Sequence, residues 1–167
     1  MTATARRFDS FEQAFALCFE EEIAGEAYFA TLATAEPDPR HAALIAKLAR
    51  IETATACALR PLATALGLTP VDEAAVRRKG RVAARNRTGR PFADFMAQIV
   101  RDYPAYVEEF AQLSELSPPE AQALARLLAD HEVAMIDMAR IFLAGAGDPH
   151  APLDAYLAQV GRPAGDA

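Results

Sequence analysis

Apolar residues recur every three or four positions along four stretches of the chain. From 8 to 35 they are Phe8, Phe11, Phe15, Phe19, Ile23, Phe29 and Leu32, a spacing that lines up on one face of an α-helix. Ser10, with Gln13 three residues on, is a candidate N-cap, and Glu36-Pro37-Asp38-Pro39 stops the run. A second stripe of Leu44, Ile45, Leu48, Leu59, Leu62 and Leu66 predicts a helix over 39–66, closed by Gly67 and open to a kink at Pro61. Periodicity fades over 68–90, where only a short helical turn is predicted, from Val71 to Lys79, ending before Gly80. A third stripe, Phe92, Phe95, Ile99, Tyr103, Tyr106, Phe110 and Leu113, starts near Pro91 and bends at Pro104. Ser117-Pro118-Pro119-Glu120 reads as a capped helix start with Ser117 as N-cap, and the fourth helix runs to Leu143 before Gly145. One weaker helix is predicted from Leu153 to Val160.

Four long amphipathic helices in two hairpins predict an all-α protein with a four-helix bundle over 8–147 and a C-terminal extension over 148–167. The connections run short, long, short, so 68–90 is a crossover that leaves the second and third helices parallel. An internal repeat supports the pairing. A shift of 80 residues lays Pro39 on Pro119, Gly67 on Gly147, Glu22 on Asp102 and Glu52 on Glu132.

At 167 residues and 52% hydrophobic, the chain is long enough for one sizeable core and too apolar for disorder. Two cysteines, Cys18 and Cys57, exclude a disulfide scaffold or a four-cysteine metal site. They are expected to be small core residues. Met1 to Arg7 holds no apolar run, so no signal peptide is expected, and no stretch is apolar enough for a membrane span. A cytoplasmic location follows as the expectation. Of the 17 basic residues, seven fall between Arg77 and Arg90, leaving ten to face 23 acidic residues elsewhere. This is an acidic body with one basic strap. The strap lacks interleaved aromatics, so pairing with the body is expected and nucleic-acid binding is not.

The candidate chemistry lies in the acids on the apolar stripes. Glu22 and Glu52 sit 15 residues either side of Pro37, and Asp102 and Glu132 sit 15 either side of Ser117. Reflecting each hairpin about its loop predicts that all four carboxylates meet at one level of the core. Buried carboxylates need a cation, shared protons or arginine partners. One carboxylate per helix is also the framework of dinuclear metal sites, with hard divalent ions suiting oxygen ligands. Glu26 could add a ligand or simply be a rim acid, and Arg50 or Arg60 could neutralise the cluster instead.

The stretch Glu22-Ile23-Ala24-Gly25-Glu26-Ala27-Tyr28-Phe29-Ala30-Thr31-Leu32-Ala33, then Asp38-Pro39-Arg40 and Leu48-Ala49-Arg50-Ile51-Glu52, resembles the rubrerythrin-like branch of the ferritin-like superfamily over about 8–147. The resemblance implies a ferritin-like bundle, and a di-iron or other divalent-metal centre on Glu22, Glu52, Asp102 and Glu132. It also implies redox work on dioxygen or peroxide, an electron donor and a homodimer. The family's metal helices read Glu-x-x-His, whereas this chain carries Thr55 and Met135 at those histidine positions. That predicts weaker or altered metal binding. His131 lies about 100° around the helix from Glu132, so it is not expected to stand in for them. The competing expectation is a metal-free ferritin-like bundle acting as a non-catalytic oligomeric or interaction protein. A weaker third is an RNA-directed hydroxylase, raised only by the arginines.

Overall fold

The computed structural model describes residues 4–161. Within them the chain is all-α, with seven helices: α1 (Phe11–Ala35), α2 (Pro39–Ala65), α3 (Glu73–Arg87), α4 (Phe92–Asp102), α5 (Pro104–Leu116), α6 (Gln122–Ala144) and α7 (Ala151–Val160). No described helix is long and apolar enough to cross a membrane. Of the expected C-terminal extension, 162–167 lie outside the described residues.

Local chemistry sets most of the helix ends. Ser10 Oγ accepts from the Gln13 N–H at 3.2 Å, so α1 starts at Phe11 and leaves Phe8 outside it. Asp38 caps α2 by accepting from Arg40 N–H at 2.8 Å, with Pro39 in the first turn. Gly145, at φ 63°, ends α6. Ser117 does not cap the fourth long helix. Its hydroxyl donates back to the Leu113 carbonyl at 2.6 Å, closing α5, and the prolines form a 3-10 turn before α6 begins at Gln122.

Two predicted elements change. The third helix breaks into α4 and α5 at Tyr103, because Pro104 has no N–H to continue the ladder. The crossover is a 15-residue helix lying along α1 rather than a turn ending at Gly80. Gly80 sits mid-helix because the backbones touch there: a Cβ at Gly80 would fall 2.1 Å from the Ala24 carbonyl oxygen. The basic strap docks through Arg77, which pairs with Glu26 of α1 and Glu73 of its own helix.

The hairpin of α1 and α2 packs on that of α5 and α6, and α7 lies against α2 and α6. The apolar interior is two clusters rather than one. Phe15, Phe19, Ile23, Leu59, Leu113 and Leu128 belong to one, and Phe29, Ile45, Leu48, Ile51, Ile99 and Met135 to the other. On α1 the change from one cluster to the other falls between Ile23 and Phe29, on α2 between Ile51 and Ala56, and on α6 between Leu128 and Ala134. Polar side chains fill the gap between them.

Candidate metal centre

Glu22 of α1, Glu52 of α2 and both His131 and Glu132 of α6 are all buried, and all line one pocket of about 300 Å³. Glu22, Glu52 and His131 each offer a donor atom within 4.8 Å of the others. His131 Nε2 lies 3.6 Å from Glu22 Oε1 and 3.5 Å from Glu132 Oε1. Glu22 Oε2 and Glu132 Oε2 are buried without any hydrogen-bond partner. Three carboxylates thus converge where an isolated charge would cost several kcal/mol.

The backbone makes room for them. A Cβ at Gly25 would sit 2.7 Å from the Glu52 carboxylate, so only glycine lets Glu52 reach across to α1. Arg50 and Arg60 do not neutralise the cluster. Arg60 pairs with Glu73 at 3.1 Å, and Arg50 does not line the pocket. A nearby arginine device comes from the segment before α1. Arg6 forks onto Glu21 at 2.7 Å and pairs with buried Glu109 of α5.

Asp102, the fourth expected acid, is elsewhere. Its carboxylate accepts from Arg101 Nε at 2.9 Å and Nη2 at 2.8 Å, and it is not among the side chains lining the pocket. Asp102 is the last residue of α4, and the neighbouring Tyr103 lines the pocket instead. Glu26 faces Arg77 on α3 and acts as a rim acid.

Burial pushes the Glu22 carboxyl well above its usual range, and the neighbouring Glu52 and Glu132 push it further. Glu52 is raised chiefly by burial and opposed by a hydrogen bond shared with Glu22. Glu132 is raised by burial and then by Glu52. Burial lowers His131 to about 4, so its ring is neutral at neutral pH. Tyr103 is raised by burial and by Glu132, and Tyr106 is pushed up to about 12 by burial first.

Residues outside the predicted set complete the site. His131 enters because α6 is packed by α2, α4, α5 and α7, which buries more than one narrow stripe. The run Leu128, His131, Met135, Met138, all buried and three or four apart, carried the signal. Tyr156 of α7 places its hydroxyl 2.6 Å from Thr55 Oγ1, plugging the Glu-x-x-Thr position with a hydrogen bond. Cys18 is buried as expected, but Cys57 is exposed; both are free thiols.

The donors fit a divalent ion. They are oxygen-rich with one neutral imidazole, and two buried carboxylate oxygens lack a partner. Comparison of the chain with protein-family models, with curated proteins and with solved structures found no match.

Proposed function

We propose that the chain is a ferritin-like, rubrerythrin-type bundle whose carboxylate-rich pocket holds iron or another divalent metal, with dioxygen or peroxide as the oxidant it acts on. The observation that carries this reading is the convergence of Glu22, Glu52, Glu132 and His131 on a buried pocket with two carboxylate oxygens left without partners. Glu22, Glu52, Glu132 and His131 would hold the metal, which would supply electron transfer there. The chain's own residues do the rest. Burial raises the carboxyls of Glu22 and Glu52 above their usual range, so they have protons to release on binding a cation. His131 arrives already neutral and needs no deprotonation near neutral pH. Tyr28, Tyr103 and Tyr106 restrict water at the wall, and α3 covers one side through Gly80 and Ala83.

A competing reading, a metal-free bundle acting through association, draws support from those same raised carboxyls, which in protonated form let the acids persist without an ion. Ferrous and manganous titrations of the chelator-treated protein, with elemental analysis, separate the two. The expected result is near-stoichiometric metal in the wild type and a loss of at least about 100-fold in affinity for Glu52→Gln. Less than about a tenth of an equivalent in the wild type, with Glu52→Gln identical to it, overturns the proposal.

A further inference from the structure

A second pocket lies between the α1–α2 turn and the link from α3 to α4, with a volume of about 490 Å³. That is within the roughly 300–1,000 Å³ of small-molecule sites. Its unusual member is Arg87, the last residue of α3, which is only 9% exposed. Most of its side chain is withdrawn from water, while the N–H groups it leaves unused open onto the pocket. Among the described residues no carboxylate forms an ion pair with Arg87. Its contacts are the Phe95 ring, 4.8 Å from the guanidinium carbon, and the Pro91 carbonyl, which accepts from Nη2 at 3.2 Å. The rest of its fork is uncommitted, and Arg87 lines the pocket.

The surroundings define what would complete it. Gly89, at φ 82°, turns the chain so that Arg90 N–H donates to the Arg87 carbonyl at 3.2 Å, setting a second guanidinium on the same rim. The walls are apolar and flat: Phe92 stacks on His41 at 4.1 Å between ring centres, and Phe95 lies 6.2 Å from Phe92. One acid shares the pocket. Glu36 accepts from Asp38 N–H at 3.2 Å and lies 3.6 Å from His41 Nδ1, so it serves its own loop. Two guanidiniums against one carboxylate leave room for a single added negative charge.

We infer that this pocket binds a small organic carboxylate, its anionic end forked by Arg87 with Arg90 beside it and its apolar body against Phe92 and Phe95. A planar fork matches a carboxylate through two parallel hydrogen bonds, and the aromatic wall supplies apolar burial. Glu36 disfavours a doubly charged guest such as phosphate.

The test uses the full chain in chelator, so it is independent of the metal centre. Benzoate, phenylacetate and hexanoate are titrated in turn and followed by amide NMR shifts. At least one acid should bind with shifts centred on 36–45 and 87–95, and benzamide should bind at least about tenfold more weakly. Arg87→Met should weaken the acid by at least about tenfold, the worth of a charge-assisted hydrogen bond. Arg90→Ala, an exposed position, gives a second reading if Arg87→Met fails to fold, with an expected loss of about threefold or more. The inference falls if none of the three acids binds below about 10 mM, if benzamide binds as well as benzoate, if neither variant weakens binding, or if inorganic phosphate binds more tightly than the acids.

Discussion

The two halves of the chain repeat each other in sequence yet handle their acids differently. In the first half, Glu22 and Glu52 both turn inward and line one pocket. In the second, Glu132 turns inward while Asp102 is held by Arg101. Two local features separate them. Gly25 opens the space that the Glu52 carboxylate fills, and the residue 80 positions later is Ala105, which carries the Cβ that Gly25 lacks. The second half also has Pro104 two residues after its acid, and the first half has Ala24 there. A repeat at the level of helices therefore does not guarantee a repeat of side-chain direction. Glu52 fills the space over Gly25, while Glu132 is buried with Ala105 at the matching position, so the halves differ in which of their first acids, Glu22 or Asp102, enters the pocket.

The sharpest way to break this asymmetry is Gly25→Ala. Its Cβ would meet only the far end of the Glu52 side chain, which can swing away. The fold should lose less than about 1 kcal/mol, while metal affinity drops by about 10- to 100-fold. Thermal melts and metal titrations on the same sample check both halves of that statement. Equal affinity for wild type and variant would remove the role assigned to Gly25.

A second expectation concerns pH without metal. The buried carboxyls of Glu22, Glu52 and Glu132 are raised in the folded state, so the native protein holds protons that the unfolded chain has already lost. Their contribution is complete below the ordinary glutamate range and disappears as pH climbs through the raised values. His131, lowered to about 4, acts oppositely but only below its ordinary value of 6.5. Chelated protein should therefore lose stability from just above the ordinary glutamate value of 4.5 up to about pH 8, where Glu52 titrates, by up to about 1.4 kcal/mol per pH unit for each proton involved, with His131 offsetting part of the loss below 6.5. Denaturant midpoints across that range measure it. Glu52→Gln should flatten the slope, and an added divalent ion should reverse it.

The smallest effect belongs to the acid that left the cluster. Asp102→Asn should change metal affinity by less than about twofold, because Asp102 does not line the pocket. A loss comparable to that of Glu52→Gln would mean that Asp102 reaches the metal after all.

The amphipathic stripes determined the helical class, and the proline and glycine punctuation fixed most helix ends, because those depend on neighbours in sequence. The positions of Glu22, Glu52 and Glu132 were legible for the same reason: each interrupts an apolar stripe. Packing decided what spacing could not. Neighbours on several sides of α6 drew in His131, and the contact of Gly80 with the Ala24 carbonyl turned an aperiodic crossover into a helix along α1. Tyr156 reached Thr55 from 101 residues away, and Arg6 reached Glu109 from 103. A stripe reports only which face of a helix prefers to leave water. The partner waiting at that face, and the room it leaves for a carboxylate, exist only once the helices have met.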